Sequence, residues 1–331
     1  GGGGGGGSCN GSYRNASSSS SSSSPPLPIT AAEAVRLREI LFGDTRKTFN
    51  TAWLQQGFCF NDVPGLAYGL VQHEGGPCGV VAVVQAFLIG DMLAEDDIET
   101  TEPSSESWSN PSPRRRHAAL IKALATIIWH GRSRSNAVLA VPYAAAFDPP
   151  PRYKPDSVTE RLWLHMAPSL AVLEDLLLRH AAHFTEPRGY GAVLLVTSCL
   201  LSRGLAAAAG DPDQALEAEP PCLMARHGYA AQELINLLLI GRATSNVFDG
   251  VRRMDDTDSA GCASGGGGTC VGSECKKCGG GGGSGRSGEG KCGDGDGGIV
   301  LRGIPRRGRV GFLTLFEAYK YLHVGDFYTT P

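Results

Sequence analysis

Two glycine-rich tracts limit how much of this 331-residue chain can fold. Glycines 1–7 lead into a serine run that ends at Ser24, and glycines 265–268 and 279–283 dominate the second tract. Because the tracts lack the apolar residues that a core needs, residues 1–26 and 256–298 are predicted to be disordered. About 260 residues remain, which is enough for one large domain or two small ones.

The remaining residues carry the patterns of a helix-rich α+β domain that the second tract interrupts. The main part is placed at residues 27–255, with a surface loop at 97–114, and its continuation at 299–331. Thr30 and Glu33 form a capping-box pattern, which predicts a first helix that ends at Gly43. Further helices are predicted at 78–92, 118–129, 170–180, 231–240 and 311–321, and strands at 66–71, 138–141, 191–198 and 299–304.

One short segment combines the residue types that thiol hydrolases require. Gln72 precedes Cys78 by six residues, and Cys78 opens an apolar run that is predicted to be helical. The partial positive charge at a helix N-terminus favours a thiolate, and Pro77 suits the start of a helix. The Gln72 amide and the Cys78 backbone N–H are two donors that could converge on a developing oxyanion. These residues predict a nucleophile, Cys78, and an oxyanion-stabilising side chain, Gln72.

Three glycines surround this cysteine. Gly75, Gly76 and Gly79 lack Cβ atoms, so backbone can approach backbone or substrate closely there. We predict that they line the substrate cleft. The alternative is structural: a free cysteine at the start of an apolar helix is often a buried packing residue, and the glycines would then form an ordinary turn.

A second cluster of cysteines lies in the glycine-rich tract. Its members are Cys262, Cys270, Cys275, Cys278 and Cys292. Their spacing is compatible with zinc, but almost no apolar residues are available to pack around a metal site. A disordered loop with incidental thiols is therefore the preferred interpretation, and no metal or cofactor is predicted.

A thiol nucleophile needs a base, and the histidines of the chain do not provide an obvious one. His73 adjoins Gln72, but in an extended segment its side chain points away from that of its neighbour. His227 precedes a predicted helix, and His323 ends one. None has the position on a strand in which papain-like enzymes hold the base.

The overall charge gives no indication of a polyanionic partner. Lys and Arg number 30 against 33 Asp and Glu, a net charge of −3. We therefore expect no nucleic acid or membrane partner. No apolar segment approaches the length of a membrane span, and no signal-like region is seen, so an intracellular protein, cytoplasmic or nuclear, is expected.

Several separated blocks resemble the MINDY deubiquitinases. The stretch 68–80 resembles their catalytic segment, and further blocks, one before it and the others after it, occur in the same order as in the family. These blocks are Leu41-Phe42-Gly43, Leu200-Leu201-Ser202-Arg203, His227-Gly228-Tyr229, residues 237–248, Val310-Gly311-Phe312-Leu313 and Thr330-Pro331.

The resemblance implies a papain-like cysteine protease that hydrolyses isopeptide bonds in polyubiquitin, with a preference for lysine-forty-eight-linked chains. Its partners would be ubiquitin and polyubiquitin, its nucleophile Cys78 and its oxyanion side chain Gln72. The catalytic histidine of the family follows the position of Thr330 and Pro331. The 331 residues alone are therefore expected to cleave little polyubiquitin.

Two other functions remain open. A catalytically inactive ubiquitin-binding protein would have the same fold without turnover. A papain-like amidase or acyltransferase would retain Cys78 and Gln72 but act on a small substrate.

Overall fold

The computed structural model describes residues 25–96, 108–143, 145–213, 221–254, 299–312, 319 and 324–329. The predicted disorder of 1–26 and 256–298 and the alternative zinc cysteines lie almost wholly outside these residues. The same holds for most of the predicted 97–114 loop and of the 311–321 helix. No described helix has the length and apolar character needed to cross a bilayer.

Helices and two small antiparallel sheets confirm the α+β class. The helices are α1 (Ala31–Phe42), α2 (Thr51–Leu54), α3 (Cys78–Asp96), α4 (Pro113–Gly131), α5 (Leu170–Arg179), α6 (Ala181–Thr185), α7 (Gly191–Arg203), α8 (Leu205–Gly210), α9 (Gln232–Ile240) and α10 (Asp326–Thr329). The strands are β1 (Leu27–Pro28), β2 (Ala137–Pro142), β3 (Leu162–Ala167), β4 (Val251–Met254) and β5 (Ile299–Arg302). One sheet has the order β1-β3-β2, and β4 pairs with β5.

Local capping fixes the ends of α1 as predicted. The Thr30 side chain accepts a hydrogen bond from Glu33 N, and the Glu33 carboxylate accepts one from Thr30 N at 2.9 Å. Gly43 ends the helix in the left-handed conformation at φ 68°, which glycine adopts without strain. The predictions for α3, α4, α5, α9, β2 and β5 are also confirmed, with ends shifted by a few residues.

The predicted strand at 191–198 is wrong, because these residues form α7. Its residues from Gly191 to Leu200 are all buried, so the sequence shows no polar face and no helical period. A short apolar run with branched side chains fits a buried strand and a buried helix equally well. The predicted strand at 66–71 is also wrong: a single bridge between Phe60 and Leu70 is the only pairing that the described structure places there.

The buried helix α7 also covers an edge of the first sheet. Ser198 Oγ accepts a hydrogen bond from Ala140 N at 2.9 Å, and Ser202 Oγ accepts one from Val138 N at 2.8 Å. Serines four apart on one helix face thus meet alternate residues of β2, where a strand neighbour would otherwise pair. The apolar residues around α3, α4, α7 and α9 form one continuous core cluster.

Candidate active site

Cys78 occupies the start of α3, as predicted. The preceding Gly76 and Pro77 are buried, whereas Cys78 itself is exposed. Its Sγ lies 3.9 Å from the carbonyl oxygen of Gly76. The first N–H groups of a helix have no intrahelical partners, so their partial positive charge faces an anion formed at this position. The thiol is accessible and lies at the N-terminal end of the helix.

The other described cysteines differ from Cys78 in exposure. Cys199 is buried in α7, and Cys59 and Cys222 are half-buried, so Cys78 is the one exposed thiol among the cysteines that the structure describes. Burial raises the pKa of the Cys59 thiol, and burial also raises that of Cys199. Desolvation disfavours a thiolate at both positions.

Gln72 lies in an exposed segment that leads into the glycine turn. Its Nε2 donates a hydrogen bond to the carbonyl oxygen of Glu74 at 2.7 Å. A primary amide has two N–H groups, so this contact leaves one of them for another acceptor. The glycine turn then joins this segment to the start of α3.

A second glutamine joins this segment to the helix of the cysteine. Gln85 follows Cys78 by seven residues, so both lie on the same face of α3. Its Oε1 accepts a hydrogen bond from Leu70 N at 2.6 Å, and its Nε2 donates one to the Tyr68 carbonyl oxygen at 3.1 Å. The segment that carries Gln72 is therefore attached to the same helix face as the thiol.

The three glycines have different surroundings. Gly76 has φ 133°, and a Cβ there would lie 3.2 Å from Trp53 Nε1 and 3.3 Å from the Gly228 carbonyl oxygen. A Cβ on Gly79 would lie 2.5 Å from Ile235 Cδ1, so Gly79 permits close packing of α3 on α9. Gly75 is exposed. Their role in binding substrate stays a prediction.

No histidine among the described residues forms a hydrogen bond with the Cys78 sulfur. His73 Nε2 lies 3.4 Å from Cys59 Sγ, which keeps its ring on the Cys59 side of the segment. His227 lies in a short 3₁₀ turn, Arg226–Gly228, with φ 65°. The carbonyl oxygen of the next residue, Gly228, accepts a hydrogen bond from Trp53 Nε1 at 2.6 Å. The Trp53 ring also packs against Gly76.

A cleft of about 770 Å³ adjoins the back of the glycine turn and shares Trp53 and Gly228 with it. Lys47, Lys154 and Arg226 contribute positive charge to its lining, which also includes Glu233. Cys78 does not line this cleft. In the residues that the structure describes, no group of three or more His, Cys, Asp or Glu side chains is arranged to hold a metal ion.

Sequence reasoning missed two polar residues of this region. Gln85 interrupts the apolar run 80–88, and this lone amide was the available signal for a buried contact. Gln56 is fully buried, and its amide contacts the backbone on both sides of Gln72. No pattern around Gln56 in the sequence indicates that contact, because its partners are 15 and 17 residues away.

The chain matches a protein family model described as "Deubiquitinating enzyme MINDY-3/4, conserved domain" over residues 38–266. No solved structure gives a significant match. The family model includes the segment with Gln72, Cys78 and Gln85, and it also includes α9.

Curated relatives carry related names. The chain is 36% identical over 308 residues to the probable ubiquitin carboxyl-terminal hydrolase MINDY-4 of Homo sapiens, which covers 92% of this chain and 34% of that protein. The mouse protein of the same name is also 36% identical, with 92% and 35% covered. The ubiquitin carboxyl-terminal hydrolase MINDY-3 of Danio rerio is 28% identical, with 83% and 55% covered. The chain thus spans about a third of the length of its MINDY-4 relatives.

Proposed function

The chain belongs to the MINDY-3/4 family of deubiquitinating enzymes, and we propose that the protein is a cysteine-type deubiquitinase that hydrolyses isopeptide bonds in polyubiquitin. The names of the relatives, ubiquitin carboxyl-terminal hydrolases, support this reaction class. The resemblance of the catalytic segment supports a preference for lysine-forty-eight-linked chains. Ubiquitin and polyubiquitin are the proposed partners.

One observation carries the assignment of the site. An exposed thiol begins α3, and Gln85 on the same helix face holds the segment that delivers Gln72. A nucleophile at a helix start, with a side-chain amide supplied by the segment before it, is the arrangement that papain-like enzymes use. The papain-like fold is part of the proposal on this ground.

The proposed reaction is acyl transfer. The Cys78 thiolate attacks the carbonyl carbon of the C-terminal glycine of ubiquitin, and a sulfur–carbon bond forms. The Gln72 amide and the Cys78 backbone N–H donate to the oxyanion of the tetrahedral intermediate. The carbon–nitrogen bond then breaks, and the lysine amine leaves with a proton from the general acid, a histidine in the family pattern. Water hydrolyses the thioester, which releases ubiquitin and restores the thiol.

The structure offers reasons to select Cys78 over the neighbouring thiol. Cys59 is half-buried, and burial raises the pKa of its thiol, whereas Cys78 is exposed at a helix N-terminus. A nucleophile must be accessible, and Cys78 is the more exposed of the two thiols. We therefore propose that Cys78 reacts and that Cys59 does not.

The test compares full-length wild-type protein with Cys78→Ala and with Cys59→Ala as the matched control. Cleavage of lysine-forty-eight-linked and lysine-sixty-three-linked tetraubiquitin is followed on gels, and each protein is incubated with ubiquitin that carries a thiol-reactive electrophile at its C-terminus. We expect cleavage and labelling by wild type and Cys59→Ala, and neither by Cys78→Ala.

The other outcomes separate the alternatives. Binding of ubiquitin without labelling or cleavage would indicate a non-catalytic ubiquitin-binding protein. Turnover of a small thioester that depends on Cys78, without any reaction with ubiquitin, would indicate a small-substrate enzyme. Full cleavage by Cys78→Ala would refute the nucleophile assignment.

A further inference from the structure

We propose that Gln56 is a positioning residue that holds Gln72 in register with the Cys78 thiol, an inference that rests on the proposed role of Gln72 in stabilising the oxyanion. Gln56 is fully buried and follows α2, far in sequence from both residues. Its side-chain amide contacts the backbone immediately before and immediately after Gln72. The two contacts thus lie on either side of Gln72, the residue whose side chain has to point at the oxyanion.

Just before Gln72, the segment pairs with residues 59–61 through the single antiparallel bridge between Phe60 and Leu70, which is the first step of a possible ladder. Asn61 N donates a hydrogen bond to the Gly69 carbonyl oxygen at 2.8 Å, and Val71 N donates one to the Cys59 carbonyl oxygen at 2.9 Å. Continuation of this ladder would bring residue 57 opposite residue 73. The backbone of residues 59–61 therefore supports the segment only as far as Val71.

On the N-terminal side of Cys59, the backbone of residues 56–58 pairs with a different part of the protein. Phe58 N donates a hydrogen bond to the Phe184 carbonyl oxygen at 2.7 Å, and a Cβ on Gly57 would lie 1.8 Å from the Glu186 carbonyl oxygen. The backbone of Gln56 accepts a hydrogen bond from Ala192 N at 2.9 Å, at the start of α7. The backbone of residues 56–58 therefore packs against the region between α6 and α7, and it does not pair with residues 72 and 73.

The side chain of Gln56 takes the place of the missing backbone. Its Nε2 donates to the Val71 carbonyl oxygen at 2.9 Å, and its Oε1 accepts from His73 N at 3.2 Å. A primary amide presents the same donor and acceptor as a peptide group, so it can extend a ladder by one pair. Nε2 also donates to the Gly57 carbonyl oxygen at 2.7 Å, which fixes the orientation of the amide.

These two hydrogen bonds matter because few other contacts hold the segment after Val71 in place. Residues 72–75 are exposed, and a turn with Gly75 and Gly76 follows them. A donor to an oxyanion has to lie within about 2.7–3.1 Å of it, and a misplacement of about 1 Å can reduce a rate by about 100-fold. A fully buried amide that water does not reach is well suited to hold the backbone of Gln72 within that range.

The test uses full-length protein with Gln56→Met, which keeps the length and approximate volume of the side chain but removes its hydrogen bonds. Gln56→Asn is a second variant, because it keeps an amide that is one methylene shorter. The matched control is Gln55→Ala, a change at the adjacent half-buried glutamine, for which the described structure shows no side-chain hydrogen bond. Thermal melts establish that each protein is folded.

The first measurement does not need activity. Hydrogen–deuterium exchange is followed in peptides that cover residues 70–75, because the His73 amide donates to Gln56. We expect at least tenfold faster exchange in this segment for Gln56→Met, with unchanged exchange in α3 and in the control. Unchanged exchange at 70–75 in both Gln56 variants would overturn the proposal, whether or not the protein acts on ubiquitin.

The second measurement distinguishes positioning from general support of the fold. Cleavage of diubiquitin is measured for wild type, Gln56→Met, Gln72→Ala and the double variant. We expect kcat to fall about 10- to 100-fold in Gln56→Met with little change in KM, and no further fall when Gln72 is already alanine. Independent, multiplicative losses would show that Gln56 does not act through Gln72 and would overturn the proposal.

A protein that cleaves no ubiquitin substrate would contradict the proposed function alone. The exchange measurement would then still decide whether Gln56 holds the segment. Alkylation of Cys78 by iodoacetamide forms no oxyanion, so its rate should be equal in wild type and Gln56→Met. A fall in that rate comparable to the fall in kcat would assign the defect to the thiol, against the proposal.

Discussion

Gln85 lies two helical turns after Cys78 on the same face of α3, and its amide holds the backbone of the segment that precedes Gln72. The helix that presents the thiol therefore also anchors the chain that presents the amide. Motion of α3 would carry both groups together, so their separation depends on the short turn between them.

Replacement of Gln85 by methionine should loosen this anchor without opening a cavity. The change leaves Leu70 N and the Tyr68 carbonyl oxygen without their partners, which we expect to lower the free energy of unfolding by about 1–3 kcal/mol. Urea denaturation of Gln85→Met and wild type measures the loss. A difference below the error of the experiment would show that water replaces Gln85 at no cost.

Gly76 and Gly75 form a matched pair that tests backbone strain in the turn. Gly76→Ala forces a side chain onto φ 133° and toward Trp53 Nε1, and we expect a loss of about 1–3 kcal/mol in stability. Gly75→Ala, whose Cβ would meet only Tyr229 Oη at 3.9 Å, should unfold at the wild-type denaturant concentration. Equal losses in the two variants would contradict the conformational argument.

The buried ion pair between Arg38 and Asp156 should be a major support of the fold. Their side chains are 0% and 1% exposed and approach to 2.5 Å. Arg38→Met removes the partner of a buried carboxylate, so we expect the free energy of unfolding to fall by about 3–5 kcal/mol. Chemical denaturation provides the measurement.

The control for that variant is Arg36→Ala on the same helix. Arg36 pairs with Glu39 at 2.9 Å, but the two side chains are 48% and 42% exposed. An exposed pair contributes about 0–1 kcal/mol, so this variant should remain close to wild type. A loss in Arg36→Ala as large as that in Arg38→Met would show that burial is not the deciding factor.

His130 should make the fold sensitive to acid. Burial lowers the pKa of His130 to about 4 from 6.5, and its neutral ring donates a hydrogen bond from Nε2 to the Leu238 carbonyl oxygen at 2.9 Å. Between pH 6.5 and 4 the unfolded chain binds the proton and the folded chain does not. The free energy of unfolding should therefore fall with decreasing pH, by up to about 1.4 kcal/mol per pH unit for this residue.

The comparison variant is His130→Gln, whose amide can donate to the same carbonyl but does not titrate. Urea denaturation at several pH values between 4 and 7 gives the slope for each protein. We expect a smaller slope for His130→Gln, with His165 contributing to the remainder because burial, followed by the neighbouring His180, lowers its pKa to about 4. Identical slopes would exclude His130 as a source of the acid sensitivity.

Elements that are defined by nearby residues could be predicted from the sequence. Thr30 and Glu33 are three residues apart and form the predicted cap of α1, and Gly43 ends that helix in the conformation that glycine favours. Cys78 starts α3 after Pro77, as predicted. Each of these features depends on hydrogen bonds or dihedral preferences within one helical turn, which the local sequence specifies.

Elements that are defined by distant partners could not be predicted in the same way. β3 was missed because its His165 interrupts the apolar pattern, and β1 has only two residues. Residues 191–198 were assigned to a strand because an apolar run of this length has no detectable period, whereas contact with β2, α4 and α6 makes them part of α7.

The same division applies to the candidate site. The sequence by itself determined the nucleophile candidate, its helix start and the glutamine six residues before it, because these features lie within one continuous segment. Only the tertiary structure decided how Gln72 is held: Gln85 reaches back 15 residues to Leu70, and Gln56 reaches forward 17 to His73. Such contacts require the chain to have folded back on itself, since a side-chain amide selects its backbone partner by proximity in space and not by position in the sequence.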